Sequence, residues 1–591
     1  MAKNILSLTY KDALDYFMSA SNYSTLELPD YLDMTPVLKH VRKAIGVKAF
    51  ADCVECNPIS NEALNYTMNL NKDGKYAIRP IALVNPYIYY FFAREICSQD
   101  NWNYLKAWFK AVQQPTVTAC SLPVIAEKEE AFHNSTTILN WWSNFEQASL
   151  ELSLEYPYMF ISDIRNCYGS INVNFITEAL NSPITIHGDK QSKDFDQKRF
   201  IANVSNLQHY YQGNMLIGLP QGCTLSDFLA EILLAYADML FCKEVQARGI
   251  QCKYKVLRYR DDYRIFCDGK EALTELSYIL QTVLRRLGFE MNSQKTQTTD
   301  NLISSSIKGD KLAYIYNTPI FNKKGCDFDG IQKHLLFIHQ FGREFPNSGQ
   351  LKTLLSDLSR RIDDKLHPQK STKDTKPIDN DDSLSQVELW DDLDDIAEEL
   401  DELKQLGSAK EGIFKTLKTF TVSPIKENIR PIVAIATQIA IDNVSCSHYA
   451  LRVISQLLST CDADQKKEIS ALVVNRLLKQ PNNDYTQLWL QTMTYRVDKE
   501  AKKSPYTNDL CKIVMGKKVN LWNMDWLKDE FKQKFPIARI CNKKKLQESD
   551  SEIRFKQREN YTETAKVIRL KSASNLNGNL NCSKELEHYA S

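Results

Sequence analysis

The run Val256-Leu-Arg-Tyr259-Arg260-Asp261-Asp262-Tyr263-Arg-Ile-Phe266-Cys267 decides how this 591-residue chain is read. Apolar and aromatic arms flank a pair of carboxylates, a pattern that predicts a β-hairpin with Asp261 and Asp262 at its apex. Earlier in the chain, Tyr158-Met-Phe-Ile-Ser-Asp163-Ile-Arg-Asn-Cys-Tyr168 is an apolar run ending in a carboxylate, which a strand presents at its exposed tip. Acids gathered at strand ends repel one another unless a cation joins them. Mg²⁺ takes oxygen ligands and keeps room for substrate phosphates, so it suits such a cluster.

A third block, Gly218-Leu-Pro220-Gln221-Gly222-Cys-Thr-Leu-Ser226, precedes a long helical pattern through Asp238. Two glycines and a proline let the backbone approach a template or nucleotide closely, with the helix as support. In this order the three blocks resemble the palm motifs of reverse transcriptases. The Pro220-Gln221-Gly222 element favours that family over viral RNA-dependent RNA polymerases. Upstream, Arg79-Pro-Ile-Ala-Leu-Val-Asn85-Pro86 with Tyr87 and Tyr90 resembles the family's fingers motif, and downstream Leu287-Gly288-Phe289-Glu-Met-Asn292-Ser-Gln-Lys295-Thr296 resembles its next palm motif.

The fold implied is α+β: right-hand polymerase fingers and palm of reverse-transcriptase type, followed by an α-helical repeat C-terminal domain. The activity implied is nucleotidyl transfer from dNTPs by an RNA-directed DNA polymerase. Two Mg²⁺ ions held around Asp163, Ile164, Asp261 and Asp262 would activate the primer hydroxyl and stabilise the leaving pyrophosphate. Lys295 is then the candidate general acid for pyrophosphate, and Arg79 a phosphate contact whose fork suits phosphate oxygens. The resemblance places the Tyr168 ring against the sugar, where it would clash with a ribose 2′-OH. Gln221, Gly222, Ser226, Tyr259 and Arg260 complete the expected nucleotide and template contacts.

Arg260 departs from the family pattern, which has a small or apolar residue there. A guanidinium near the primer terminus can contact a phosphate, restrict the accepted base pair, stand in for an absent strand, or pair with local acids. Arg258 and Arg264 lie close by on the two arms.

Composition is that of an ordinary water-soluble globular chain, with 43% apolar and 25% charged residues. Fifteen cysteines lack a framework of spacings, and Cys53-Val-Glu-Cys56 has no second pair to complete a zinc site. No secretory signal and no membrane-spanning run are read, so a cytoplasmic protein is expected. The net charge of +1 conceals an uneven distribution, because twelve acids and no basic residue lie between Asp379 and Glu402. Within that stretch Trp390, Leu393, Ile396 and Leu400 recur at helical spacing. The segment reads as a solvated helix packed by one stripe, or as a mimic of nucleic-acid charge.

The expected organisation is an N-terminal and fingers region (1–150), a palm (151–330), a helix, loop and acidic segment (331–405), a helical-repeat or thumb-like domain (406–545) and a polar tail (546–591). Helices are predicted over 332–362 with breaks at Pro346 and Gly349, and over 429–441, 448–460 and 464–479. Trp489, Trp522 and Trp526 have a core spacing, with base stacking as the alternative. Lys543-Lys-Lys545 reads as solvated surface, and Arg361 with His367 as a weak RNase-like spacing.

Ser423-Pro-Ile-Lys-Glu-Asn-Ile, Leu451-Arg-Val-Ile-Ser-Gln-Leu-Leu458 and Tyr485-Thr-Gln-Leu-Trp489-Leu-Gln491 resemble the helical-repeat region of bacterial defence-associated, abortive-infection reverse transcriptases. This implies antiphage DNA synthesis on a dedicated non-coding RNA, or without a conventional template. The partners implied are dNTPs, RNA or single-stranded DNA, and further copies of the chain or another defence protein; no membrane is expected. Priming from a protein hydroxyl is a further implication, with Tyr485, Tyr495, Tyr506 and Tyr561 among the candidates. The alternatives are a catalytically silent nucleic-acid-binding scaffold and a retron- or intron-type enzyme.

Overall fold

The computed structural model describes residues 4–56, 64–72, 77–125, 142–182, 195–213, 218–314, 331–366, 429–500, 504–549 and 551–555. The acidic segment 379–402, His367 and Tyr561 lie outside these residues.

The described residues form two compact units, one holding those before 320 together with those from 481 onward, the other those between 331 and 480. Packing thus draws a boundary inside the expected 406–545 region. In the second unit, helices Ile331–Glu344, Gly349–Leu366, Ile429–Asp442, Ser447–Leu458 and Ala463–Leu478 match the periodicity read from sequence. Their apolar stripes pack antiparallel neighbours together, and Asn347 caps the turn by accepting from Ser445 N–H.

The first unit contains the palm. A two-stranded ribbon, β1 (Tyr66–Asn71) and β2 (Ile78–Leu83), lies apart from a five-stranded sheet. That sheet comprises β3 (Val117–Ala119), β4 (Tyr158–Asp163), β5 (Tyr254–Tyr259), β6 (Asp262–Cys267) and β7 (Gln297–Thr299) in the order β3-β5-β6-β4-β7. All pairings are antiparallel except β3 with β5. Alternation along the strands sets two faces. Met159, Leu257 and Phe266 bury one face against Phe145, Tyr156 and Leu302.

The other face receives α1 (Thr224–Ala247) and α2 (Lys270–Arg286). Helix α1 is buried almost all round, including Glu231 and Asp238. Those two acids, which interrupt an apolar run in the sequence, exist to meet Arg258 from β5. Its guanidinium is fully buried and lies 2.7 Å from Glu231 and 2.8 Å from Asp238. A buried charge is tolerated only when paired in this way.

The C-terminal part of the unit returns to its N-terminal part. Tyr31 Oη donates to Leu488 O at 2.9 Å, and Trp522 Nε1 donates to Leu83 O at 2.9 Å. Asn85, which caps the helix Pro86–Ile96, donates to Asn523 O. Trp489, Trp522 and Trp526 are all buried, in accord with the core reading over the stacking one.

Candidate active site

β5 and β6 form the hairpin expected from sequence, with Tyr259 opposite Asp262 and a two-residue turn of Arg260 and Asp261. Arg260 takes φ +53°, a conformation that tight hairpin turns demand of their first central residue and that most side chains avoid. Two contacts hold it there: its N–H donates to Ser121 Oγ, and Arg258 Nη1 reaches its carbonyl at 3.4 Å.

β4 lies alongside β6 with Asp163 directly opposite Asp262, so the two carboxylates share one face at one end of the sheet. Asp261 closes the group from the turn, and Ile164 N–H donates to its carbonyl at 3.1 Å. Asp163, far from the Asp261-Asp262 pair in the chain, is thus brought beside it. Burial and then the charge of Asp163 raise the Asp261 carboxyl above its usual range. Burial and then Asp261 push Asp262 up to about 6.

Lys295 is in ion-pair contact with the group. Its Nζ lies 3.3 Å from Asp163 Oδ2, with Asn292 Nδ2 donating to the same oxygen at 3.1 Å. The loop carrying both is fixed by Asn292 N–H to Asp163 O at 2.7 Å. The donor set is all carboxylate oxygen, carried by two neighbouring strands and their turn, which fits hard divalent cations. Its acids are less tightly gathered than Cys252, Cys267 and Asp268 at the opposite end of the hairpin, whose ligand atoms lie within 4.8 Å of one another.

The glycine-rich block is stitched between the palm and β2. Gly218 N–H donates to Ile171 O at 2.8 Å, and Leu219 N–H to Tyr168 O at 2.7 Å. On its other side Ala82 N–H donates to Gln221 O at 2.9 Å. Gly222 has φ +105°, and a Cβ there would stand 2.7 Å from Ile81 Cγ2. The requirement for glycine is therefore both conformational and steric. Arg79 sits exposed on β2, four residues before Leu83.

One expected contact is corrected. Ser226 is fully buried, and its hydroxyl is shared with Tyr211 Oη at 2.8 Å and Cys223 Sγ at 3.2 Å. It anchors the start of α1 in the core and has no access to a ligand. Sequence reasoning also missed Asp227, in the first turn of α1. It accepts from Tyr168 Oη at 2.5 Å and from Arg260 Nη2 at 2.7 Å. A carboxylate one residue beyond an expected binding serine gave no separate signal in the sequence.

Residues 104–332 match the family model described as reverse transcriptase (RNA-dependent DNA polymerase). That segment contains all three acids and the glycine-rich block, so the chain carries a reverse-transcriptase domain, whose enzyme class is RNA-directed DNA polymerase. No curated protein matches the chain. Among solved structures, apo telomerase from Candida tropicalis truncated from its C-terminal domain is 14% identical, with a TM-score of 0.26; the match covers 44% of this chain and 55% of that one. Telomerase from Candida albicans in complex with a fragment of telomeric RNA is 12% identical, with a TM-score of 0.29 and coverage of 78% and 74%. Reverse-transcriptase domains use divalent metal ions. No helix among the described residues is long and apolar enough to cross a membrane.

Proposed function

We propose that this protein synthesises DNA from dNTPs, with Mg²⁺ as the metal and Asp163, Asp261 and Asp262 as its ligands. The observation that carries the reading is the register of Asp163 against Asp262, with Asp261 in the adjoining turn. When bound, the ions supply activation of a primer 3′-hydroxyl and charge stabilisation of the departing pyrophosphate. The chain's own residues do the rest. The Pro220-Gln221-Gly222 backbone and β2 shape one wall, and Arg79 is left exposed for triphosphate oxygens. Lys295 stands within ion-pair range of Asp163, placed to hold a proton or a phosphate charge at the same centre.

The wider role we propose is bacterial antiphage defence, supported by the resemblance of residues 423–429, 451–458 and 485–491 to the helical region of abortive-infection reverse transcriptases. A non-coding RNA or no conventional template, and assembly with further copies of the chain, belong to the same reading. Protein priming, if used, does not start at Tyr485 or Tyr506. Tyr485 is buried with its hydroxyl donating to Glu27 O at 2.8 Å, and the buried Tyr506 hydroxyl is bound to Thr494. Tyr495 is buried as well.

Purified protein given Mg²⁺ and labelled dNTPs should make DNA, and the Asp261→Ala/Asp262→Ala variant should make none. Sequencing the product and testing its 5′ end for peptide identifies template and primer. Plaque counts on cells carrying the wild type or the double variant test the defence role. Equal protection by both would favour a catalytically silent scaffold, and no protection by the wild type would overturn the defence role.

A further inference from the structure

The carboxylate of Asp227 joins two groups that the sequence separates widely. Its Oδ1 accepts the Tyr168 hydroxyl at 2.5 Å, and its Oδ2 accepts Arg260 Nη2 at 2.7 Å. Tyr168 follows the strand that ends in Asp163, Arg260 precedes Asp261 in the hairpin turn, and Asp227 projects from α1. Three elements of the palm therefore meet at one carboxylate.

Arg260 is costly to keep. Its backbone is left-handed, and its Nε is buried with no hydrogen-bond partner. Strain and an orphaned donor at one residue point to a demand beyond local packing. The guanidinium also lies over the Tyr259 ring, 5.8 Å from its centroid, which restricts its movement. The Tyr168 backbone is fixed separately by Leu219 N–H, so the bond to Asp227 fixes the ring itself.

We propose that Asp227 and Arg260 are positioning residues that set sugar selectivity by clamping the Tyr168 ring at the nucleotide site. The inference rests on the polymerase reading above and names what controls its substrate choice. Because the hydroxyl is committed to Asp227, discrimination is made by the ring as a steric wall and not by a hydrogen bond to the sugar. A wall discriminates only while it cannot swing aside; the clamp supplies that rigidity. Burial, then the charge of Asp227, hold the Tyr168 phenol far above its usual range, so the hydroxyl stays a donor. Arg260 is correspondingly kept charged, mainly by Asp227.

The test measures kcat/KM for a dNTP and for the matching ribonucleotide on one primer–template. The variants are Tyr168→Phe, which keeps the ring and removes the tether, Asp227→Asn and Arg260→Gln. Each should lower the dNTP preference by roughly 10-fold, the worth of one lost hydrogen bond, with the change appearing mainly as a lower KM for the ribonucleotide. Tyr168→Phe combined with Asp227→Ala should lose no more than Asp227→Ala alone, because the alanine already removes the acceptor of that bond. Arg260→Lys should restore part of the preference. An unchanged preference in Tyr168→Phe, the variant least able to disturb folding, overturns the clamp. Absence of DNA synthesis by the wild type overturns the polymerase reading itself, so the two failures are distinguishable.

Discussion

Two charge clusters occupy the same β-hairpin and have opposite designs. At its tip, Asp163, Asp261 and Asp262 lie together with Lys295 paired to Asp163. On its helix-facing side, Glu231 and Asp238 enclose the Arg258 guanidinium, with Tyr263 Oη donating to Asp238 at 3.2 Å. Burial raises the Asp238 carboxyl, but Arg258 opposes that shift from hydrogen-bond distance. The Arg258 group sets one guanidinium against two carboxylates and hydrogen-bonds both of them internally. At the tip, burial and the neighbouring carboxylates raise Asp261 and Asp262 above the usual carboxylate range. The contrast supports the proposal that the tip group takes an external cation.

The comparison can be broken by mutation. The largest effect should follow Asp261→Ala with Asp262→Ala, with DNA synthesis falling by on the order of 1,000-fold or more. The fold should survive, as near-ultraviolet circular dichroism would show. Arg258→Met should have the reverse character. It strands two buried carboxylates and should destabilise the palm by about 3–5 kcal/mol in urea titrations, with activity lost through unfolding.

Smaller effects sharpen the contrast. In the absence of divalent ions, Asp262→Asn should raise the melting temperature at pH 7.5, by about 1–3 kcal/mol of stability. Asp262 is held up to about 6 in the folded chain, above its value when unfolded. Its favourable contribution is therefore full in acid and lost as the pH rises through 6. The gain from Asn should accordingly shrink towards zero as the pH falls to 4. Adding Mg²⁺ should stabilise the wild type more than this variant. The smallest change is expected when Arg258→Met is combined with Glu231→Leu and Asp238→Leu. Replacing a whole buried ion cluster by apolar side chains of similar size should leave stability within ~1 kcal/mol of the wild type. A large loss there would mean that the cluster also sets the register of the turn through the Arg260 carbonyl.

The hairpin, the strand ending at Asp163 and the helices of the second unit were all legible in the sequence. Each rests on local periodicity or on turn chemistry, which neighbouring residues carry by themselves. Long-range pairings had no such signature. The sequence offered Ser226 as a binding residue, whereas the fold turns it into the core beside Tyr211 and leaves its neighbour Asp227 facing Tyr168. Glu231 and Asp238 interrupt an apolar run, and nothing near them in the chain names the arginine that makes them tolerable. The return of residues 481–555 to the N-terminal region, through Trp522, Leu488 and Asn523, was likewise invisible, because it depends on contacts between segments more than 400 positions apart.

By itself, then, the sequence determined the elements, the order of the motifs and the identity of the acids, since strand alternation and turn preference act over a few residues. The tertiary structure alone decided that Asp163 stands opposite Asp262, that Arg258 is sealed in while Arg260 reaches Asp227, and that one carboxylate ties the hairpin turn to Tyr168. Those outcomes depend on how sheet and helix pack, and the energy of burying or pairing a charge is fixed only once distant segments close around it.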